Sequence, residues 1–170
     1  MEFKDKRVII TAGAGGIGRE TTRLFVEAGA KVFICDIDET ALENTLSSFD
    51  NVSGVRVDVS DPDQFKSFFN KADEYLGGLD IMINNAGTAG PTALIEDISL
   101  EEWSNCININ LTSAFLGTQE SIPRIKDSNN EGGSIINLSS AAGKFGFPLR
   151  SPYSAAKWAS VGLTRTTALE

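Results

Sequence analysis

Histidine is absent from this 170-residue sequence, and cysteine, tyrosine and tryptophan occur only twice each. The lack of histidine excludes a Ser-His-Asp hydrolase and a histidine general base. Cys35 and Cys106 are the only thiols, so the lack of histidine also argues against a structural or catalytic zinc site. Acid–base chemistry in this chain must therefore use tyrosine, lysine or carboxylates.

The charge balance and the hydropathy pattern argue against two further classes of partner. Acidic residues outnumber basic ones by 23 to 15, and the net charge of −8 disfavours nucleic acid and anionic membrane surfaces. No apolar run is long enough to span a bilayer, and the charged start, Met1 to Arg7, predicts no signal peptide. The cysteines lie far apart in apolar segments, so we expect buried thiols and a reducing, cytoplasmic location.

The beginning of the chain has the pattern strand, glycine turn, helix, strand and acid. A β-branched apolar run covers 7–12, glycines follow over 13–18, and helical spacing covers 17–28. A second apolar run over 31–35 ends at Asp36. Glycines let a backbone approach a pyrophosphate that lies against a helix N-terminus. The pattern therefore predicts a βαβ nucleotide-binding unit.

Asp36 adds a second signal to the glycine turn. It lies 18 positions after Gly18, near the ~20 typical of an acid that bonds the ribose hydroxyls. Its charge would repel a 2′-phosphate, so the sequence favours NAD over NADP. The cofactor-binding residues predicted in this unit are Gly13, Gly15, Gly16, Ile17, Gly18 and Asp36.

Strands and helices continue to alternate along the chain. The predicted elements are helix 38–49, strand 54–57, helix 61–76, strand 79–83, helix 99–126, loop 127–132 and strand 134–138. Such alternation is typical of a parallel sheet with helices on both faces. We therefore predict one domain over 1–170, a doubly wound, Rossmann-like α/β sheet in three layers.

The segment from Ser151 to Lys157 carries the candidate catalytic pair. Pro152 at the first helical position and Ser151 as the N-cap predict a helix start. Tyr153 and Lys157 are then four residues apart on one face. An ammonium at that spacing stabilises the phenolate form, as an acid/base catalyst needs. A lone pair of this kind is more often an ordinary surface pair, so the rest of the chain must decide.

From Lys6 to Glu170 the sequence resembles the short-chain dehydrogenases/reductases of the classical type. The resemblance rests on several motifs in the same order. They are Thr11–Gly18, Asp58-Val59, Asn84-Asn-Ala-Gly87, Asn110, Ser139-Ser140 and Tyr153-x-x-x-Lys157. Each motif is weak alone, but the ordered set makes Tyr153 a candidate catalytic residue.

The resemblance implies a role for each catalytic residue. Tyr153 would exchange a proton with the substrate oxygen, and Lys157 would support the phenolate and hold the nicotinamide ribose. Ser140 would donate to the same oxygen; it is preferred to Ser139 because the family's serine lies thirteen positions before its tyrosine. Asn110 would interrupt its helix and hold a water that links Lys157 to solvent, with Asn108 as the alternative register.

The resemblance also extends the predicted cofactor site. Asp58 would bond the adenine amino group and Val59 would contact the ring through its backbone; the alternative for Asp58 is that it only ends a strand. The Asn84–Gly87 motif would back the ribose, although Asn84 may instead only tie strands together. The residues added to the cofactor site are Asp58, Val59, Asn85, Ala86, Gly87, Tyr153 and Lys157.

The sequence departs from the family pattern at two places. Ala12 stands where the family has glycine, and an alanine there predicts a negative φ and a slightly different turn. The family's chain also continues beyond the helix that ends near Glu170, into further strands and a substrate-covering segment. We therefore expect a fragment, an incomplete record or a short natural form, with the strand 134–138 as an open sheet edge.

The predicted function is transfer of hydride between NAD and a carbonyl or secondary alcohol. The alternatives are a non-catalytic nucleotide-binding or scaffolding fragment, and a dehydratase or epimerase that retains NAD. The loops 90–95 and 141–150 are expected to face a small alcohol or ketone through Leu94, Phe145, Phe147 and Arg150, unless Arg150 is merely solvated. Small residues on the helix of Tyr153 permit close helix–helix approach, unless they only pack on the sheet. The resemblance implies a homodimer or homotetramer formed through this helix and the helix 99–126.

Overall fold

A computed structural model describes residues 3–128 and 132–170 of the chain. Its five strands are β1 (Arg7–Thr11), β2 (Lys31–Asp36), β3 (Val52–Arg56), β4 (Ile81–Asn84) and β5 (Ser134–Asn137). The strands form one sheet in the order β3-β2-β1-β4-β5, and every pair is parallel. The predicted Rossmann-like sheet is confirmed. In the described part of the chain β5 is an edge strand, as expected.

Six helices cover the two faces of the sheet. They are α1 (Gly16–Glu27), α2 (Glu39–Leu46), α3 (Pro62–Leu76), α4 (Leu100–Ile107), α5 (Ser113–Asp127) and α6 (Ser151–Thr167). The starts of α3 and α4 follow the local rules: Asp61 accepts from the N–H groups of Asp63 and Gln64, and Ser99 forms a capping box with Glu102. Among the described residues, no helix combines the length and apolarity needed to cross a bilayer.

Apolar side chains on the two faces of the sheet form two separate cores. Adjacent residues of each central strand point in opposite directions, so Ile9 and Phe33 contact one core while Ile10 and Ile34 contact the other. The first core is aromatic, with Phe65, Phe68 and Phe69 of α3 in mutual ring contact. The second is aliphatic and lies under α1 and α2. Burial on both faces is what the apolar runs predict.

Both cysteines are buried, as predicted. Cys35 lies in the aromatic core, and burial raises the pKa of its thiol to about 12. Cys106 is on α4 and is 1 % exposed. Burial raises its pKa as well. Both thiols are therefore protonated and unreactive at neutral pH.

Several predicted element boundaries are wrong. The helix expected over 38–49 begins at Glu39, with Asp38 as its cap, and ends at Leu46. The long helix expected over 99–126 is divided by a π-helical turn at Asn108–Thr112. The predicted loop 127–132 lies partly outside the described residues. The ends of these elements depend on tertiary contacts, which the hydrophobic periodicity of the sequence does not specify.

The start of α6 also differs from the prediction. Arg150 occupies the N-cap position and Ser151 is the first helical residue, so Pro152 is the second. Among the described residues, the buried Ser151 hydroxyl has no hydrogen-bond partner. The backbone of Leu149 has a φ of +62°, so a left-handed residue directly precedes the N-cap residue of the helix. Tyr153 therefore still lies in the first turn.

Candidate active site

The glycine turn between β1 and α1 presents an open helix start. Among the described residues no side chain caps α1 at Gly15, and its first turn carries no acidic residue. A Cβ built on Gly15 or Gly16 would meet no described atom within 4 Å. Free backbone N–H groups at a helix N-terminus favour a bound anion. The turn therefore fits the pyrophosphate of a dinucleotide.

Ala12 has a φ of +49°, so the prediction of a negative φ at this position is wrong. Left-handed backbone costs energy for alanine and persists only where neighbours fix it. Asn85 Nδ2 donates to the carbonyls of Thr11 and Ala12 at 2.9 and 3.0 Å. Gly18 packs so closely on the Ala12 carbonyl that a Cβ there would overlap the oxygen. These contacts hold the turn that glycine would adopt freely.

Asp36 lies beside the glycine turn at the end of β2. Its carboxylate accepts hydrogen bonds from the N–H groups of Ala14 and Asp38, each at 3.1 Å. An ionised carboxylate has about four acceptor positions, so the group retains capacity for hydroxyl donors. The position fits a ribose whose two hydroxyls are free.

A cavity of about 180 Å³ opens at the carboxyl ends of the strands. The predicted residues that line it are Asp36, Asp58, Val59, Ala86 and Gly87. The carboxylate of Asp58 accepts from the N–H and hydroxyl of Ser60 at 2.9 and 2.7 Å. Four further residues line this cavity and were not predicted: Ile37, Val57, Thr88 and Ile109. All four directly adjoin predicted residues in the sequence, and that adjacency was the available signal.

The motif 84–87 is fastened to the end of β1. The Thr11 hydroxyl accepts from the N–H groups of Asn85 and Ala86 at 3.0 and 2.9 Å. Asn84 points the other way, and its Nδ2 donates to Asn137 Oδ1 on β5 at 2.8 Å. Asn84 is 5 % exposed, so it ties strands together, the second of the two roles considered for it. Thr11 was missed as a support of this motif.

A second cavity, of about 220 Å³, brings three of the four predicted catalytic residues to the glycine turn. The predicted residues in its wall are Ile17, Asn85, Gly87, Asn110, Tyr153 and Lys157. It shares Gly87 and Thr88 with the first cavity, so the two adjoin at the crevice between β1 and β4. That crevice is where parallel sheets of this topology bind ligands.

Lys157 is buried beside Tyr153. The side chain is on α6 and is 5 % exposed, and its Nζ lies 5.7 Å from the centroid of the Tyr153 ring. The same Nζ donates to the carbonyl of Leu138 at 2.9 Å. Burial lowers the pKa of Lys157, while the thiol of Cys106 acts in the opposite direction. The cation and the phenol thus lie on one face of α6, as their spacing predicts.

Asn110 lies in the π-helical turn, as the resemblance implies. Its Nδ2 donates to the carbonyls of Cys106 and Thr88, both at 2.9 Å, and its Oδ1 accepts from Thr88 N–H at 3.3 Å. The extra residue of a π turn frees a helical carbonyl for such a bond. A Cβ on Gly87 would lie 2.8 Å from Asn110 Oδ1 and 3.5 Å from Lys157 Nζ. Glycine therefore lets the asparagine and the lysine approach the same point.

The two neighbouring serines after β5 occupy different positions. Ser139 lines the second cavity, and its hydroxyl donates to the carbonyl of Lys157 at 2.8 Å. Ser140, the predicted catalytic serine, is outside that wall and its hydroxyl oxygen accepts from Ala142 N–H at 3.2 Å. Among the described residues, the Ser140 hydroxyl donates to no partner. Its proton is therefore free, whereas that of Ser139 is engaged.

The loops expected to face a substrate are apolar and exposed. Leu94, Phe145 and Phe147 are all more than half exposed. Arg150 is not merely solvated, because its Nη1 donates to the carbonyls of Ala89 and Gly90 at 3.1 and 2.8 Å. The loop before α6 is thereby connected to the loop after β4.

Comparison with curated proteins gives relatives of similar sequence. The chain is 35 % identical over 175 residues to a 3-oxoacyl-acyl-carrier-protein reductase of Thermotoga maritima, covering all of this chain and 70 % of the relative. It is 37 % identical over 178 residues to a trans-4-hydroxycyclohexanecarboxylate dehydrogenase of Sinomonas cyclohexanicum, with coverages of 98 % and 66 %. A 3-alpha-(or 20-beta)-hydroxysteroid dehydrogenase of Mycobacterium bovis is 37 % identical over 166 residues, with coverages of 97 % and 63 %.

The chain spans about two thirds of the length of the curated relatives that it matches, from 61 % to 70 %. The family model described as short chain dehydrogenase matches residues 6–170. This match covers nearly all of the sequence and includes the glycine turn, the π turn and the Tyr153–Lys157 pair. The chain therefore belongs to the short-chain dehydrogenase/reductase family.

Proposed function

We propose that the protein is an NAD-dependent oxidoreductase that moves hydride between nicotinamide and a carbonyl or secondary alcohol carbon. One observation carries the proposal: Tyr153, Lys157 and Asn110 line one cavity with Ile17 of the glycine turn. A proton-exchanging group beside a dinucleotide cradle is the arrangement that this reaction requires. The relatives are named as dehydrogenases or reductases, and this supports the same class of reaction.

Three polar residues of the cavity, and Ser140 beside it, have parts in the proposed reaction. When bound, the nicotinamide ring supplies or accepts the hydride. Tyr153 gives its phenolic proton to the substrate oxygen in reduction and takes it back in oxidation. Lys157 stabilises the phenolate and holds the ribose hydroxyls, and Asn110 holds a water that links Lys157 to solvent. Ser140 donates a hydrogen bond to the substrate oxygen while charge develops there.

The proposal is tested with a panel of alcohols drawn from the relatives. NAD reduction is followed by absorbance with cyclohexanol, trans-4-hydroxycyclohexanecarboxylate, a 3-hydroxysteroid and a 3-hydroxyacyl thioester. We expect turnover of at least one, together with a rise in melting temperature on adding NADH. Binding of NADH without turnover of any member would contradict catalysis and favour a nucleotide-binding module.

The choice between the two serines is tested by removing each hydroxyl. We expect Ser140→Ala to lower kcat about 100-fold, the scale for losing one donor to a developing oxyanion. Ser139→Ala is the matched control, because the Ser139 proton is already given to the Lys157 carbonyl. Steady-state kcat on the best panel alcohol measures both. A larger loss in Ser139→Ala would assign the substrate hydrogen bond to Ser139.

Preference for NAD depends on the charge of Asp36. A 2′-phosphate carries close to two negative charges, so removing the carboxylate removes a repulsion. We expect Asp36→Asn to lower the ratio of NADPH to NADH dissociation constants about tenfold, measured by cofactor fluorescence. Asp38→Asn is the control, because Asp38 is exposed and asparagine also caps α2. An unchanged ratio in Asp36→Asn would remove the basis for the NAD preference.

We propose that the protein forms a homodimer or homotetramer through α5 and α6. Large aromatic side chains are exposed on these helices, with Phe115 44 % and Trp158 53 % exposed. Small residues such as Ala155 and Ala159 on the exposed side of α6 permit close helix–helix approach. Sedimentation of the purified protein measures the mass in solution, and a monomer at micromolar concentration would contradict this assembly.

A further inference from the structure

The four residues Thr88–Pro91, here called the strap, cross the second cavity between the π turn and α6. Thr88 and Ala89 form part of the wall of that cavity. On one side the strap is fixed to the π turn, since Asn110 exchanges hydrogen bonds with both backbone groups of Thr88. Gly90 has a φ of +65°, and a Cβ there would lie 2.7 Å from the sulfur of Cys106. The strap therefore lies directly against the π-turn side of the site.

On its other side the strap meets a single cation. Arg150 Nη1 donates to the carbonyls of Ala89, Gly90 and Pro91 at 3.1, 2.8 and 3.5 Å. These residues are about sixty positions away in sequence and are brought together only by the fold. Next to Arg150, the carbonyl of Leu149 accepts from Ala93 N–H at 3.2 Å. A charged donor makes stronger hydrogen bonds than a neutral one.

Arg150 also occupies the N-cap position of α6, three residues before Tyr153. The strap is therefore attached close to the start of the helix that carries the phenol. Beside Gly90, burial raises the pKa of the Cys106 thiol, while the hydrogen bond from Asn110 and the charges of Lys157 and Arg150 act in the opposite direction.

We propose that Arg150 is a positioning residue: it holds the strap against the start of α6 and so sets the substrate side of the cleft beside Tyr153. The inference rests on the proposed function for its catalytic consequence. Loss of the guanidinium leaves three carbonyls without this donor. The part of the cavity wall formed by Thr88 and Ala89 then loses its attachment to α6. Substrate binding then weakens, while the proton and hydride chemistry at Tyr153 stays nearly intact. KM rises more than kcat falls.

The first test measures the strap itself, independently of turnover. Hydrogen exchange at the amides of Gly90 and Ala93 is compared in wild type, Arg150→Met and Arg150→Lys. We expect exchange about tenfold faster in Arg150→Met, the scale for losing a charge-assisted hydrogen bond, and an intermediate rate in Arg150→Lys. Arg165→Met is the control, since Arg165 lies exposed near the end of the same helix. Unchanged exchange in Arg150→Met would overturn the proposal.

The second test separates positioning from direct contact with substrate. KM and kcat are measured with cyclohexanol and with trans-4-hydroxycyclohexanecarboxylate, which differ by a carboxylate. We expect Arg150→Met to raise KM about tenfold for both and to change kcat less than about twofold. A rise in KM confined to the carboxylate substrate would replace positioning by a direct contact with the substrate anion. A loss of kcat equal for both substrates, with KM unchanged, would also contradict positioning. If the wild type turns over neither alcohol, hydrogen exchange alone decides whether Arg150 holds the strap; the proposed function itself fails only if no member of the panel is turned over.

Discussion

Tyr153→Phe is expected to lower kcat about 1,000-fold, within the range for loss of a general acid/base. The substitution removes one hydroxyl and leaves the ring, which lies 5.7 Å from Lys157 Nζ and lines the cavity. Proton transfer to the substrate oxygen must then come from water. The dissociation constant of NADH should change little, because the glycine turn and Asp36 are untouched. Single-turnover absorbance on the best panel alcohol measures the effect.

The chain offers a matched control in its other tyrosine. Tyr75 is on α3, where its ring packs against Phe33 and beneath the ammonium of Lys31. Tyr75→Phe removes the same hydroxyl far from the cavities and should leave kcat within about twofold of wild type. Equal turnover by Tyr153→Phe and Tyr75→Phe would exclude Tyr153 as the acid/base.

Asp80→Asn is expected to lower the free energy of unfolding by about 3 kcal/mol. Asp80 is 3 % exposed, and its carboxylate accepts from the backbone N–H, Nε and Nη2 of Arg7 at 2.8 to 3.0 Å. These bonds join the amino ends of β1 and β4, the two strands that flank the ligand crevice. An amide in place of the carboxylate leaves the Arg7 cation without its counter-charge. Urea denaturation of both proteins at neutral pH measures the difference.

The same pair predicts how stability depends on pH. Burial opposes ionisation of Asp80, but hydrogen bonds from Arg7 outweigh it and hold the pKa below the ordinary value of 3.8. The unfolded chain therefore binds the proton more readily than the folded one. The stabilisation is fully present above the ordinary value and is lost as the pH falls through the folded pKa. As the pH falls through this range, the free energy of unfolding of Asp80→Asn should decrease less than that of the wild type.

Asp73→Asn is the control for the Asp80 variant. Asp73 also binds an arginine, Arg124, at 2.9 Å, but its side chain is 43 % exposed. Exposed ion pairs contribute at most about 1 kcal/mol, so the variant should unfold close to wild type. If Asp80→Asn and Asp73→Asn had the same free energy of unfolding, burial of the Arg7–Asp80 pair would not explain its contribution to stability.

Local patterns predicted most of the architecture. Burial on both faces makes central strands continuously apolar, so β1 and β2 are recognisable from the sequence. The glycine turn, Asp61 as the cap of α3 and the spacing of Tyr153 and Lys157 involve residues close in the chain. Their geometry follows from helix and turn rules, and the structure places them accordingly.

The details of the cavity were decided by contacts between distant segments. Asn85 holds Ala12 in the left-handed region from more than seventy residues away, and Lys157 engages the hydroxyl of Ser139. Arg150 meets the strap only because β4 and β5 are neighbours in the sheet.

The sequence by itself determined the family, the sheet and the candidate catalytic pair, because those depend on local patterns and on their order along the chain. Tertiary structure alone decided which serine keeps a free proton, that Asn84 ties β4 to β5, and that Arg150 binds three carbonyls. The physical reason is that a hydrogen bond between distant segments depends on their packing, and no local pattern encodes that packing.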